Sequence, residues 1–572
     1  MNKSTITRPF PRLEPESSKE RQMQRRRPRS ALAWFALPFF VCILMMATPL
    51  ARMAGTTIQS TRPTNAVLLL PGGWMPLNIG FSGTLHNTEM ATHIVFFMLF
   101  IAIAFLIYAC AAYTIWRKPA FFSSRATIRW IWLTVIACSV ILILTPAMLS
   151  HDIFAYSSYG RILAIYHANP YFTPFANFPH DPFYPLDDWR DTPSAYGPIW
   201  QALSTLIALL CGNQPATSLV TYQVLGVVLH LCNMFLIIGT LRALNCSERT
   251  TVLGALLYAW NPLALLESCF SGHNDVLLIT FLLLGLWSFA RIERRQAQGM
   301  QKFRLHRYLL PLLFLTFAVL IKASAAPMLV LFLVLLARRA FLSVPTHTPA
   351  RFFLRHWFVA LRTICLAGLL SGAIMLLLYG PLWYGRSIQD IIASFTTTPA
   401  ASSSYGSILR ALQDWTLLYG QPTAGLSGYL CSLFLLRSTW NTLNMCVLVI
   451  CMLSSVFCIW YRPTIRTLAL ATITVLGAVL LVTPWFFPWY VTWLVALATV
   501  ILPAFEGRLG RALIGGSIAF SASAFCIYLY MRGVPPIGGW VGLACLTTIA
   551  PPILAFLLLL CIPPARRQKE VV

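Results

Sequence analysis

The chain has 572 residues, of which 58% are hydrophobic and 10% charged, and its mean hydropathy is +0.70. A soluble protein carries about 25% charged residues, so this composition excludes a soluble enzyme and indicates a polytopic membrane protein. The net charge of +25 does not indicate a nucleic-acid partner, because no stacking aromatics accompany the basic residues and no basic domain lies outside the apolar runs. The fifteen cysteines lack paired spacing and are interpreted as small buried hydrophobes.

The N-terminal segment is polar and basic over residues 1–30 and ends in RRRPRS. It is followed by an apolar run from Ala31 to Leu50, which is long enough to cross the hydrocarbon core and longer than the core of a signal peptide. We therefore predict a basic cytoplasmic tail followed by a retained signal anchor. Cleavage near Ala51 or Ala54 is the alternative.

Fourteen apolar runs predict membrane spans. They cover residues 31–50, 91–116, 129–149, 218–241, 250–266, 275–291, 308–323, 326–340, 358–380, 441–460, 466–484, 489–505, 512–531 and 540–561. With the N-terminus in the cytoplasm, 33 of the 42 Lys and Arg residues fall on the cytoplasmic side, as the positive-inside rule requires.

The predicted fold class is therefore an all-α polytopic membrane protein with about 14 transmembrane helices, located in the cell membrane with both termini cytoplasmic. A single membrane domain covers residues 31–561. Two large extracytoplasmic loops, 151–217 and 381–440, interrupt it, and a short cytoplasmic tail, 562–572, follows it.

The apolar segment 197–212 is the weak point of this topology. If GPIWQALSTLIALLCG crossed the membrane, every later segment would be inverted and the basic clusters RIERRQ and ARR would lie outside. We therefore predict an interfacial or re-entrant helix in the outer leaflet, with its tryptophan at headgroup depth.

The segment from His151 to Pro198 holds five of the seventeen acidic residues of the chain. Its first acid, Asp152, comes where a predicted span meets the extracytoplasmic water. A carboxylate at such a boundary is a candidate general base, with His151 beside it. The alternative interpretation is a carboxylate that caps a helix end.

Three further sets of residues are candidates for the same site. In SGHNDV, Asn274 or Asp275 caps the next helix, or His273 and Asp275 bind sugar hydroxyls. The nearby acid Glu267 needs a partner if it is buried. Lys322 either meets a lipid phosphate or extends to the headgroups; Arg190 and Arg386 are weaker candidates. In TPWFFPWY, Trp489 and Tyr490 form an interfacial aromatic belt or stack on a sugar or a prenyl chain.

An ordered set of motifs extends over most of residues 130–500. They are HDIFAYSSYGRI at 151–162, NPY at 169–171, PSAYGP at 193–198, WNP at 260–262 with SGHND, and PWFFPWY at 484–490. This set resembles the polyprenol-phosphate-mannose-dependent α-mannosyltransferases of bacterial membranes, which are GT-C type glycosyltransferases.

The resemblance implies several roles. It makes Asp152 the catalytic base of an inverting reaction that uses neither a metal nor a cofactor, and it makes a polyprenyl-phosphate sugar the donor. The motif residues Tyr156, Arg161 and Tyr196 are then expected to bind substrate, together with His151, His273, Asn274, Asp275, Lys322, Trp489 and Tyr490.

The predicted function is transfer of mannose from the lipid donor to a glycan or glycolipid acceptor on the extracytoplasmic side. One alternative is a flippase or transporter of lipid-linked sugars, which would carry ionisable residues near the middle of the membrane. The spans here are almost free of charge, with His230 as an exception, and the acids gather on one face. A second alternative is the same enzyme class with another sugar, such as arabinose or glucose.

Overall fold

The computed structural model describes residues 31–59, 87–118, 124–145, 149–299, 303–344, 352–396, 403–420, 425–531 and 542–563. The predicted tail 1–30 and residues 564–572 of the C-terminal tail lie outside the described residues. Within the described ranges the chain is helical and has no β-strand, apart from one isolated bridge between Tyr405 and Trp485.

The first half of the described chain contains eleven α-helices. In order these are α1 Ala33–Gln59, α2 Asn87–Arg117, α3 Ser124–Leu144, α4 Asp152–Ala164, α5 Pro198–Cys211, α6 Pro215–Ala243, α7 Glu248–Ala259, α8 Pro262–Cys269, α9 Asp275–Ala297, α10 Leu309–Val319 and α11 Ala326–Leu342.

Ten more α-helices follow in the described part of the second half. These are α12 Phe352–Trp383, α13 Ile388–Thr396, α14 Ile408–Tyr419, α15 Gly425–Leu435, α16 Arg437–Tyr461, α17 Ile465–Val482, α18 Val491–Val500, α19 Arg508–Ser523, α20 Cys526–Met531 and α21 Gly542–Cys561.

Among the described residues, eleven helical segments are long and apolar enough to cross a membrane, and a bent pair, α7 with α8, makes a twelfth. The all-α polytopic fold is thereby confirmed. Helices also occupy the remaining two predicted spans, 308–323 and 489–505, but α10 and α18 are shorter than a full crossing. The predicted number of about 14 is therefore reached only if these short helices are counted.

The bend between α7 and α8 has a local cause in the sequence WNP. The two helices meet at an angle of 54°. Asn261 begins α8 by accepting a hydrogen bond from the backbone N–H of Ala264, and Pro262, which has no N–H, occupies the first helical position. The break leaves α8 only eight residues long, so its last turn and the following turn, 270–274, lie inside the protein.

Contacts at the two ends of α9 define two ends of the helix bundle. Asp275, at the start of α9, pairs with Lys322, whereas Glu293, near its end, pairs with Arg339. We call these the site end and the far end. Tyr308 bonds Gln296 at the far end, so the segment from Tyr308 to Lys322 connects both ends although α10 itself has 11 residues.

Hydrogen bonds to other segments of the chain hold both ends of α5. At its start, the N–H of Gly197 donates to the carbonyl of Ile321, next to Lys322. At its end, Arg161 donates to the carbonyl of Gly212 and to the side chain of Asn213. Because α6 then runs from Pro215 towards the opposite end, these contacts favour the interpretation of α5 as a helix that does not cross the membrane.

This topology gives a direct prediction. Single cysteines placed at Asp188 and at Asn213, in a variant without other accessible thiols, should both react with a membrane-impermeant thiol reagent added from outside. A cysteine at Ser343, which follows α11 at the far end, is the matched control and should react only after the membrane is opened. Labelling of the Asn213 position only from the cytoplasm would contradict the topology.

Three glycines allow close backbone contacts near the site end, two of them between helices. A Cβ atom at Gly160 of α4 would overlap the carbonyl of Ser204 in α5. A Cβ atom at Gly197 would overlap the carbonyl of Leu320, and one at Gly226 of α6 would overlap that of Ser268. Small residues of this kind let membrane helices approach to backbone contact, so the positions of α4, α5, α6 and α8 are fixed with little freedom.

Candidate active site

Asp152 lies in the first turn of α4, where the helix dipole favours a negative charge. Its side chain is nearly buried, and the residue retains 6% of its exposure. One carboxylate oxygen accepts a hydrogen bond from Trp189 Nε1 at 3.1 Å, and the other lies 3.6 Å from His273 Nδ1. The carboxylate is therefore held in place on two sides, and Asp152 also lines the cavity described below.

His273 lies in the turn between α8 and α9 and is fully buried. Its ring stacks on Trp489 with 3.9 Å between the ring centroids, and Nδ1 also lies 3.3 Å from the hydroxyl of Tyr156. On the other side of the ring, Nε2 lies 3.3 Å from a carboxylate oxygen of Glu267. The imidazole thus stands between two carboxylates.

Glu267 lies in the last turns of α8 and is almost completely buried. Its partners are His273 and the hydroxyl of Tyr528, which donates at 2.5 Å. The expectation that a buried acid here needs a partner is thus met, but by a residue 261 positions away, which local sequence cannot indicate.

Lys322 lies at the start of the segment that leads into α11. Its ammonium bonds both carboxylate oxygens of Asp275, at 2.9 and 3.2 Å, and lies 4.5 Å from the ring centroid of Tyr490. Trp493 Nε1 donates to the same carboxylate at 2.7 Å. Asp275 thus positions Lys322, and the aromatic rings further stabilise the ammonium.

A cavity of about 160 Å³ extends from Asp152 to Lys322. Asp152 and Lys322 both line it, and most of its remaining wall is aromatic: Tyr159, Trp189, Tyr196, Trp485, Phe487, Trp489 and Tyr490. Polar groups fixed among aromatic faces are typical of a site that binds a sugar.

A larger groove of about 660 Å³ begins at the same lysine. It lies between α11, α16 and α17, and Lys322, Trp485 and Tyr490 line both spaces. Its polar members on α16 are at the site end, Arg437, Asn441 and Asn444, whereas the deeper wall is apolar and includes Leu448, Met452, Val475 and Leu476. From Arg437 to Met452 the groove follows α16 for about 22 Å.

The remaining predicted site residues differ in how close they lie to the cavity. Tyr156 and Tyr196 pack edge to face, with 5.0 Å between ring centroids, and so belong to the cavity wall or its support. His151 turns to Asp188, at 2.8 Å. Asn274 precedes α9 without making a side-chain capping bond, and it is fully buried.

Arg161 is not brought to the cavity. Its buried guanidinium bonds Asp181 through Nε, at 2.8 and 3.0 Å to the two carboxylate oxygens, and holds the end of α5 as described above. These are the contacts of a residue that anchors the loop 165–197. The weaker candidates for the phosphate contact also lie elsewhere. Arg190 lies over the ring of Tyr184, and Arg386 lies over the ring of Phe172.

Several residues of the cavity wall or its support were not predicted. Trp189 fixes Asp152, Trp493 fixes Asp275, and Tyr405 of the second loop packs on Trp485 and Phe487. Of the wall itself, the sequence indicated Tyr196 and the aromatic segment 483–490. The loop residue Asp187 supports Trp189 by accepting its backbone N–H at 2.8 Å, while burial raises the pKa of Asp187 to about 6.

A comparison with known protein families finds one match. Residues 65–338 match the model of the MptA/B family, described as alpha-(1->6)-mannopyranosyltransferase, N-terminal domain. No curated protein and no solved structure matches the chain. The matched segment contains Asp152, Glu267, His273, Asp275 and Lys322. The match over residues 65–338 supports a mannosyltransferase family of the GT-C type.

Proposed function

We propose that this membrane-bound mannosyltransferase takes mannose from a polyprenyl-phosphate donor and transfers it, with inversion, to a hydroxyl group of a glycan or glycolipid on the extracytoplasmic side of the cell membrane. The observation that carries the proposal is the position of Lys322. It stands at the junction of a small aromatic cavity, which also contains Asp152, and a long apolar groove.

The groove fits a lipid-linked donor. A prenyl chain would lie along the apolar wall between α11, α16 and α17, where burial of each CH₂ group contributes about 0.8 kcal/mol. Its phosphate would then meet Lys322 at the site end, near Arg437 and Asn441. The sugar attached to that phosphate would enter the aromatic cavity, where Trp489 and Tyr490 offer ring faces.

The reaction then follows from the two charged groups. The acceptor oxygen attacks the anomeric carbon while Asp152 accepts the acceptor's hydroxyl proton. The bond between the anomeric carbon and the phosphate oxygen breaks, and its electron pair stays on the phosphate, beside the ammonium of Lys322. A β-linked donor gives an α-linked product, which agrees with the linkage in the description of the matched family.

Nothing in the site favours the transporter alternative over transfer. The ionisable side chains of the site gather at one end of the bundle, and the buried imidazole of α6, His230, bonds the carbonyl of Ala259 and stacks on Tyr258. Both partners of His230 lie in α7, so these contacts belong to helix packing. An enzyme of the same class with another lipid-linked sugar stays an alternative that the donor experiment distinguishes.

The donor experiment uses purified full-length protein in vesicles with a membrane glycolipid extract as acceptor. Labelled polyprenyl-phosphate-mannose should give labelled glycan, and labelled GDP-mannose without polyprenyl phosphate should give none. The Asp152→Asn variant provides the blank. Transfer from the nucleotide donor alone would refute the proposal, and transfer only from polyprenyl-phosphate-glucose or -arabinose would replace mannose by that sugar.

A further inference from the structure

We infer that His273 and Glu267 form a proton relay behind Asp152, in which His273 receives the proton that Asp152 has taken from the acceptor and the charge of Glu267 stabilises that proton on His273. The inference rests on the proposed role of Asp152 as base and assigns a function to Glu267, which does not line the cavity. Because both residues act through Asp152, they are positioning residues.

The geometry places three ionisable groups in a row. Asp152 lies 3.6 Å from Nδ1 of His273, and Nε2 of the same ring lies 3.3 Å from Glu267. Tyr528 closes the row with its 2.5 Å bond to the other oxygen of Glu267. No other charged side chain bonds His273 among the described residues; its remaining neighbours are the hydroxyl of Tyr156 and the ring of Trp489.

Burial gives the row its chemical consequence. His273 and Glu267 each retain at most 1% of their exposure, so solvent does not compensate the charge of Glu267. A buried carboxylate needs a hydrogen-bond donor. The Tyr528 hydroxyl donates to one oxygen. The other oxygen lies 3.3 Å from Nε2 of His273, and these two atoms make no hydrogen bond, so a proton on the imidazole is stabilised by the charge of Glu267.

The contact with Asp152 lies on the other side of the ring. Nδ1 of His273 lies 3.3 Å from the hydroxyl of Tyr156. It lies 3.6 Å from a carboxylate oxygen of Asp152, which is beyond hydrogen-bond distance. Once Asp152 carries a proton, its O–H can donate to Nδ1.

The proton balance is simple. The acceptor hydroxyl gives its proton to Asp152, and Asp152 passes it to Nδ1, which makes an imidazolium between two carboxylates. Glu267 stabilises that cation by its charge. Asp152 returns to the carboxylate form while the donor phosphate departs with the electron pair of the broken bond. After the products leave, the proton passes back from Nδ1 to Asp152, which lines the cavity, and from there to water, which restores the starting state.

The test compares the pH dependence of turnover in matched variants, with saturating labelled polyprenyl-phosphate-mannose in membranes. Glu267→Gln keeps the size of the side chain but removes the charge that stabilises a proton on His273, so the row binds a proton less readily. We expect turnover to fall about 10-fold, with an unchanged donor KM, and the acid limb of the profile to move to lower pH.

Tyr528→Phe acts in the opposite direction. It removes a hydrogen bond that favours the charged form of Glu267, so the row binds a proton more readily and the acid limb should move to higher pH. This variant keeps the test decisive if Glu267→Gln does not fold. His230→Gln removes a buried imidazole outside the site and should leave the profile unchanged.

Opposite shifts in the two variants support the relay, because loss of packing alone would not move the acid limb in opposite directions. A profile that is unchanged in both folded variants overturns it. Asp152→Asn in the same series separates the two proposals: if Asp152→Asn is active, the proposed base is wrong, whereas an inactive Asp152→Asn with unchanged Glu267 and Tyr528 variants refutes the relay alone.

Discussion

Replacement of Asp152 by asparagine should reduce turnover at least about 100-fold, which is the lower range of general-base effects, while the protein still inserts and folds. Asparagine keeps the size of the side chain, and its carbonyl oxygen can still accept the bond that Trp189 donates at 3.1 Å. It cannot accept a proton from an acceptor hydroxyl. The measurement is the initial rate of label transfer from polyprenyl-phosphate-mannose.

The matched control is Asp191→Asn. Asp191 belongs to the same loop but is exposed and does not line the cavity, so its variant should transfer mannose at the wild-type rate. Expression and melting temperature of both variants should equal those of the wild type. Near-normal turnover in a well-folded Asp152→Asn protein would remove this residue from the mechanism.

Replacement of Lys322 by methionine should raise the donor KM about 10-fold or more, with less change in the requirement for acceptor. A hydrogen bond to a charged group contributes about 1.5–3 kcal/mol, and the methionine keeps the apolar stem but loses the phosphate contact. The single variant has a second effect, because it leaves the buried carboxylate of Asp275 without its cation, which costs about 3–5 kcal/mol of stability.

The double variant Lys322→Met with Asp275→Asn separates these effects. It removes the uncompensated charge, so stability should return towards that of the wild type while the donor KM stays high. Asp275→Asn alone, which keeps the ammonium, measures any contribution of Asp275 itself. A double variant with the donor KM of Asp275→Asn would show that Lys322 does not bind the donor phosphate.

The sequence predicts the fold class well because hydropathy acts locally. Each apolar run needs only its own residues to be recognised, and all fourteen runs coincide with helices. The helices α10 and α18, which are too short for a full crossing, show the limit. The contacts of Tyr308 and Lys322, and not the length of α10, reveal that this segment connects both ends of the bundle.

The site is predicted less completely because its contacts are long-range. Motifs and positions at the ends of apolar runs indicated Asp152, His273 and Lys322, which the structure brings to one region. The partners that give these groups their chemistry follow only from packing: Lys322 finds Asp275 47 residues earlier. Arg161 shows the converse, because its position in a motif suggested a substrate contact whereas its bonds to Asp181 and Gly212 are internal.

The three glycines with close backbone contacts, Gly160, Gly197 and Gly226, determine which parts of the site can adapt to substrates. Since Gly160, Gly197 and Gly226 bring backbone against backbone, a helix that slid along its neighbour would drive the next side chain into a carbonyl group. The segments that carry Asp152 and Lys322 therefore pack against their neighbours in a single register. Differences in acceptor size must be absorbed by the aromatic loops, so changes of acceptor preference should arise at Trp189, Tyr405 or Trp485 before they arise in these segments.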